Sequence, residues 1–230
     1  MWKFSSSRTA GALLVAGVAF AVYPALRPYG PETGAVGAAD FASTAWVVSH
    51  ACGMIGFVLV AVALRFAAAN PPWAWSGPAV RAVETRAWLA VALLLPYYGA
   101  ETYGLQAIGQ YAVEQGDPGV LAIAEDFRLA PFAATTFLIG LLLLVWVGWG
   151  IARGLWSAGT LARAGGVLAG LGLAAYLPQF FGPPGLRVAH GIVLGMGLLL
   201  MGVSVLRPRV EQAVSSAPAG SVLTPGRAHE

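Results

Sequence analysis

The stretch LPYYGAETYG, Leu95 to Gly104, decides how this chain is read, because it puts a carboxylate, Glu101, at the end of an apolar run. The charge-free part, Ala87 to Ala100, is too short by itself, since a helix needs about 20 predominantly apolar residues to cross a bilayer. It reaches that length only by continuing through Glu101 to Ile108. Glu101 would then lie at membrane depth, where an ionisable side chain is costly and is by default a candidate functional group.

Five further charge-free runs surround this one: Thr9 to Leu26, Phe41 to Leu64, Leu129 to Ala152, Ala164 to Leu186 and Val188 to Leu206. The chain has 230 residues, 58% of them hydrophobic and 10% charged, with a mean hydropathy of +0.72. Soluble proteins average about 45–50% apolar and 25% charged residues. The runs lack the period-two alternation of a membrane barrel, so helices must satisfy their backbone polar groups. The expectation is an all-α polytopic membrane protein with six transmembrane helices over residues 1–209, followed by a disordered cytoplasmic tail over 210–230. That tail is rich in Ala, Ser, Gly and Pro and short of large apolar residues. Lys3 and Arg8 ahead of the first run also fit a secretory leader, but the small-residue position at Ala39 lies far beyond the apolar core ending at Val22.

With six spans, one side of the membrane holds Lys3, Arg8, Arg65, Arg81, Arg86, Arg153, Arg163, Arg207, Arg209 and Arg227. The other holds only Arg27, Arg128 and Arg187, with most of the acids. The positive-inside rule makes the first side cytoplasmic. Both termini are therefore expected inside, in a bacterial-type inner membrane. Lipid is the expected partner and nucleic acid is not. Trp2, Trp73, Trp75, Trp88, Trp149 and Trp156 fit anchors at the cytoplasmic interface.

Proline beside aromatic residues recurs at Tyr23-Pro24, Leu95 to Gly99 and Leu177 to Gly182. RLAP at Arg128 to Pro131 resembles RVAH at Arg187 to His190, and VVSH at Val47 to His50 can be set beside both. These echoes suggest three helical hairpins in pseudo-repeat, with His50, Pro131 and His190 as equivalent positions.

The ionisable groups within the runs are His50, Glu101 and His190, all estimated to lie in the outer half of the bilayer. Tyr97, Tyr98 and Gln106 flank Glu101, Gln179 lies at a matching level, and Arg128 descends from the loop side as a neutraliser for Glu101. The leading expectation is a small-molecule or ion site, with proton coupling conceivable, open to the extracytoplasmic side. It would be lined by Glu101, His50, His190, Tyr97, Tyr98, Gln179 and Arg128. Three other readings stand beside it: a b-type haem held by His50 and His190, a zinc hydrolase using His50, His190 and Glu101, and a structural or assembly subunit without a site. The sequence assigns neither an enzymatic activity nor a cofactor. No HExxH, CxxC, GxSxG or phosphate-binding glycine loop is present. The single cysteine, Cys52, excludes an intrachain disulfide.

Overall fold

The computed structural model describes residues 2–207; the expected tail over 210–230 lies outside them. The described chain is helices and turns, with no strand. In order come α1 (Trp2–Leu26), α2 (Gly34–Ala42), α3 (Thr44–Ala69) and α4 (Gly77–Gly99). A π turn, Ala100–Gly104, carries α4 on into α5 (Leu105–Gln115). A 3-10 turn at Pro118–Ala122 leads to α6 (Ile123–Leu129), then α7 (Pro131–Gly154) and α8 (Thr160–Ala174). A second 3-10 turn, Pro178–Phe181, precedes α9 (Pro184–Leu206).

Local chemistry sets several of these boundaries. The Ser43 hydroxyl accepts from the Trp46 amide at 3.1 Å and starts α3. Pro131 and Pro184 open α7 and α9, where a missing N–H costs nothing. Gly116, at φ +64°, closes α5 in the left-handed conformation that glycine adopts without penalty.

Four helices, α1 from Ser6, α3, α7 and α9, are long and apolar enough to cross a membrane. The other two long runs depart from their sequence reading. The third begins ten residues earlier than expected, at Gly77, taking in Arg81, Glu84 and Arg86, and ends at Gln115. The fifth does not extend unbroken from Ala164 to Leu186: α8 covers 15 residues and stops at Ala174, and Pro178, lacking an N–H, opens a 3-10 turn.

The six longer helices form a closed ring in which α1 packs on α3, α3 on α4, α4 on α7, α7 on α8, α8 on α9 and α9 back on α1. Close backbone approach holds parts of it together. A Cβ added at Gly148 of α7 would stand 2.5 Å from the Gly170 carbonyl oxygen of α8, and one added at Gly195 of α9 would stand 2.5 Å from that of Gly17 in α1. Inside the ring Phe20, Phe57, Tyr98 and Tyr176 meet edge to face or tilted, with centroids 4.9 to 6.0 Å apart.

The two ends differ. At one, the α3–α4 loop folds onto the bundle: the Trp73 indole donates to Ser204 at 3.0 Å, and Trp75 is buried against Gly154. Trp75 is thus a packing residue, a correction to its reading as an interfacial anchor; Trp88, Trp149 and Trp156 are exposed. At the other end α2, α5 and α6 build a cap with its own small core of Phe41, Trp46, Leu105, Ala112, Leu121 and Ala124. One detail of the repeat alignment also changes. His50 and His190 are each the seventh residue of their helices, whereas Pro131 is the first of α7 and so does not share their position.

Gly148→Ala should destabilise the detergent-solubilised protein by about 1–3 kcal/mol, because its neighbour is backbone and cannot swing away. Gly11, where an added Cβ meets nothing within 4 Å, is the control. Gly11→Ala should leave the unfolding midpoint unchanged or raise it by its gain in helix propensity, and equal midpoints for both variants would show that the α7–α8 seam tolerates separation.

Candidate functional site

Glu101 lies in the π turn, and that turn explains its surroundings. A π turn widens the helix by one residue and is frequent at functional sites. The Leu105 amide reaches back to the Ala100 carbonyl, while the Glu101 carbonyl accepts the Trp46 indole N–H at 2.6 Å. Thr102 returns its hydroxyl to the Tyr98 carbonyl at 2.6 Å. The irregular backbone is thereby satisfied by side chains, one of them from α3.

Trp46 is fully buried and organises the neighbouring wall. Its carbonyl takes the Ser49 hydroxyl and His50 Nδ1, both at 2.8 Å. A ring nitrogen facing a carbonyl must carry the proton, so neutral His50 presents an Nε2 lone pair. Its indole packs on His50 at 4.4 Å and on Phe41 at 4.6 Å between centroids, and the Arg27 guanidinium lies 4.8 Å from its ring centre.

The Glu101 carboxylate meets Arg128 in a fork, Nε to Oε1 at 2.5 Å and Nη2 to Oε2 at 2.8 Å. Arg128 Nη1 continues to Glu32 Oε2 at 2.6 Å, and Glu32 Oε1 pairs with Arg27. Charges therefore alternate Arg27, Glu32, Arg128, Glu101 across the bundle end, joining the α1–α2 loop, α6 and the π turn. Burial alone would raise the Glu32 pKa, but Arg128 and Arg27 outweigh it and hold the carboxyl below the ordinary range. Burial likewise works against the Arg128 charge, yet Glu101 and Glu32 hold its pKa above the usual arginine value. Burial pushes the Tyr29 phenol up in spite of Arg27 and Arg187 nearby.

This chain of charges borders a cavity of about 450 Å³ at the capped end, within the size range of small-molecule sites. Of the residues singled out in the sequence, His50, Tyr97, Tyr98, Glu101, Arg128 and Gln179 all line it. The Tyr98 hydroxyl donates to that of Tyr176 at 3.2 Å, and Tyr97 stacks on Phe137 at 3.9 Å. Gln179 is 5% exposed, and its side chain has no hydrogen-bond partner among the described residues. No fully enclosed polar side-chain atom in the described residues is unpaired, so the Gln179 amide is not sealed in, and the residue lines both this cavity and a small crevice beside it. Leu129 and Phe181, 74% and 85% exposed, also line the space and mark its mouth.

His190 is elsewhere, which corrects the expected seven-residue site. Its Nε2 pairs with the Gly172 carbonyl at 2.7 Å, its ring meets Tyr176 at 5.3 Å, and it borders an adjoining crevice of about 10 Å³ that shares Tyr23, Pro24, Gln179 and Arg187 with the cavity. The zinc reading fails on placement: no group of three or more His, Cys, Asp or Glu among the described residues is arranged to hold a metal ion. The two imidazoles of the haem reading border different cavities. Gln106 does not line the main one.

Sequence reading missed Trp46, Arg27, Tyr29, Glu32 and Arg187, the last four of which line the cavity. The available signal was the charge count itself. All three arginines on the sparsely basic side converge here, although from sequence only Arg128 is expected at the site.

Glu101→Gln should cost about 3 kcal/mol, because it strips the half-buried Arg128 of its fork while only Glu32 stays as a counter-charge. The double variant with Arg128→Gln should cost less than the sum of the two single changes, as unfolding in detergent would measure. Additive costs would show that the pair is not a coupled unit.

No protein-family model, curated protein or solved structure matches this chain.

Proposed function

We propose that the chain is an integral membrane protein of six spans, with both termini cytoplasmic in a bacterial-type inner membrane, that binds a small molecule from the extracytoplasmic side. Binding of this kind serves a transporter or a receptor subunit equally well. The observation that carries the reading is the capped-end cavity, where a satisfied charge network stands beside an unpartnered Gln179 and the free Nε2 of His50. A scaffold has no need to keep such groups at the wall of an open space, because each forgoes a hydrogen bond.

The ring supports six spans. The helices α4 and α8 fill the two positions between the four long apolar helices. From Gly77 to Gln115 the helix is about 58 Å long at 1.5 Å per residue. That exceeds a bilayer of about 40–45 Å including headgroups, so the α5 end stands clear of it and carries the cap. The ring order also favours three hairpins, α1 with α3, α4 with α7 and α8 with α9. Arg65, Arg81, Arg86, Arg153 and Arg163 belong to the end away from the cap, which makes that end cytoplasmic.

In a Cys52→Ser background, Leu129→Cys and Phe181→Cys should react with a membrane-impermeant thiol reagent applied to intact spheroplasts. Ala74→Cys, in the exposed part of the α3–α4 loop, should react only after permeabilisation. The opposite pattern would invert the topology.

For binding itself, native mass spectrometry of protein extracted from its own membranes should reveal a small-molecule adduct. Filling the cavity with Gln179→Trp should remove that adduct without changing the folded fraction. Identical spectra for the two proteins would overturn the reading.

A further inference from the structure

The charges around the cavity do not cancel. Arg27, Glu32, Arg128 and Glu101 neutralise one another in the alternating chain, but Arg187 also lines the space and has no carboxylate within ion-pair distance among the described residues. Its Nε donates to the Gly182 carbonyl at 3.0 Å and its Nη2 to that of Phe180. Those bonds aim the guanidinium without supplying a counter-charge. Nη1 is left with no acceptor among the described residues. The Tyr29 ring, 5.9 Å from Arg187 and 5.0 Å from Arg27, separates this arginine from the paired set.

A second observation points to the same place. Gln179, on the turn whose Phe180 and Gly182 carbonyls hold Arg187, turns an unpartnered and nearly buried amide toward the space. Apart from these two groups, the mutually paired charges and His50, the lining is mostly rings and aliphatic carbon: Tyr97, Phe137, Leu177, Phe180 and Phe181. One cation with a free N–H, one amide able to donate or accept, and an apolar remainder describe a ligand with a single negative charge on an apolar body.

We propose that the cavity binds an organic monocarboxylate, its carboxylate held by Arg187 and Gln179 and its hydrocarbon or aryl part against Phe137, Tyr97 and Phe180. This rests on the small-molecule reading above and gives it a chemical class. A carboxylate accepts from a guanidinium N–H and an amide N–H at once, and the charge-assisted bond is the stronger of the two. A cationic ligand would face an excess positive charge, and a neutral one would leave Arg187 uncompensated. The carboxylate could arrive from water or as a fatty acid from the outer leaflet past exposed Leu129 and Phe181.

The test uses the full chain in nanodiscs of phosphatidylcholine, which carries no net charge. The probes are 3-phenylpropionate and oleate, each beside its amide and its amine counterpart, and the readout is the thermal midpoint across ligand concentration. Either carboxylate should bind at least tenfold more tightly than its amide, with the amine weakest. Saturation by 3-phenylpropionate indicates a water-borne ligand, and response to oleate alone a lipid-borne one. Arg187→Gln should lower the affinity of the responding carboxylate at least tenfold. Gln179→Leu, which leaves the Arg187 bonds intact, should lower it several-fold and decides the matter if Arg187→Gln does not fold. Equal binding of amide and carboxylate, preference for the amine, or no response to any probe would overturn the monocarboxylate assignment. In each of those cases the adduct measured with and without Gln179→Trp still reports separately on whether the cavity binds a small molecule.

Discussion

The fork between Arg128 and Glu101 is the constraint around which the capped end of this protein is arranged. A carboxylate in an otherwise apolar run is costly without a partner, and the stretch of its own helix from Ala87 to Ile108 supplies only tyrosines, a threonine and a glutamine as polar company besides the Trp88 indole. The cation must come from another element. It comes from α6, and its third nitrogen reaches Glu32, which in turn holds Arg27. One desolvation problem therefore ties three separate segments to the bundle and fixes where the cap sits over it.

The backbone takes part as well. Because the π turn frees the Glu101 carbonyl for the Trp46 indole, the same residue is held from both its side chain and its main chain. Trp46 then determines the tautomer of His50, through a carbonyl that accepts from Nδ1. Two helices, α3 and the α4–α5 rod, are joined by a tryptophan whose ring also supports Arg27. The aromatic layer beneath, from Tyr97 and Phe137 to Tyr98 and Tyr176, gives the cavity a rigid floor, and the glycine contact between α7 and α8 keeps that side of the ring close-packed.

Closure at the opposite end follows from ordinary packing. The α3–α4 loop places Trp73 against α9 and Trp75 against α7, so the bundle is plugged by two indoles where it carries most of its basic residues. An open end lined by paired charges and rings and a closed end plugged by indoles make the molecule asymmetric along its axis. That asymmetry is what gives a binding reading a direction.

Composition, run length and the missing period-two alternation determined that this chain is helical and built for a membrane, because backbone polar groups in hydrocarbon are satisfied only by helices or by a closed barrel, which that alternation would mark. The same residues singled out Glu101, His50, Gln179, the two tyrosines and Arg128, since a polar group in an apolar run stands out regardless of fold. Tertiary structure alone decided which of them meet. His50 and His190 share a position in their helices but border different spaces, because His50 bonds back to Trp46 of its own helix while His190 reaches across to the Gly172 carbonyl of α8. Arg27, Glu32 and Arg187 looked like loop charges because loops are where charges are cheap, and only folding of the α1–α2 loop and the start of α9 over the cavity made them neighbours. The π turn and the break before Pro178 were equally out of reach of pattern reading. Each is a local change of hydrogen-bond register, and what selects it is the set of partners waiting on other helices: Trp46 in the first case, and in the second Arg187, which donates to the carbonyls of the turn after α8.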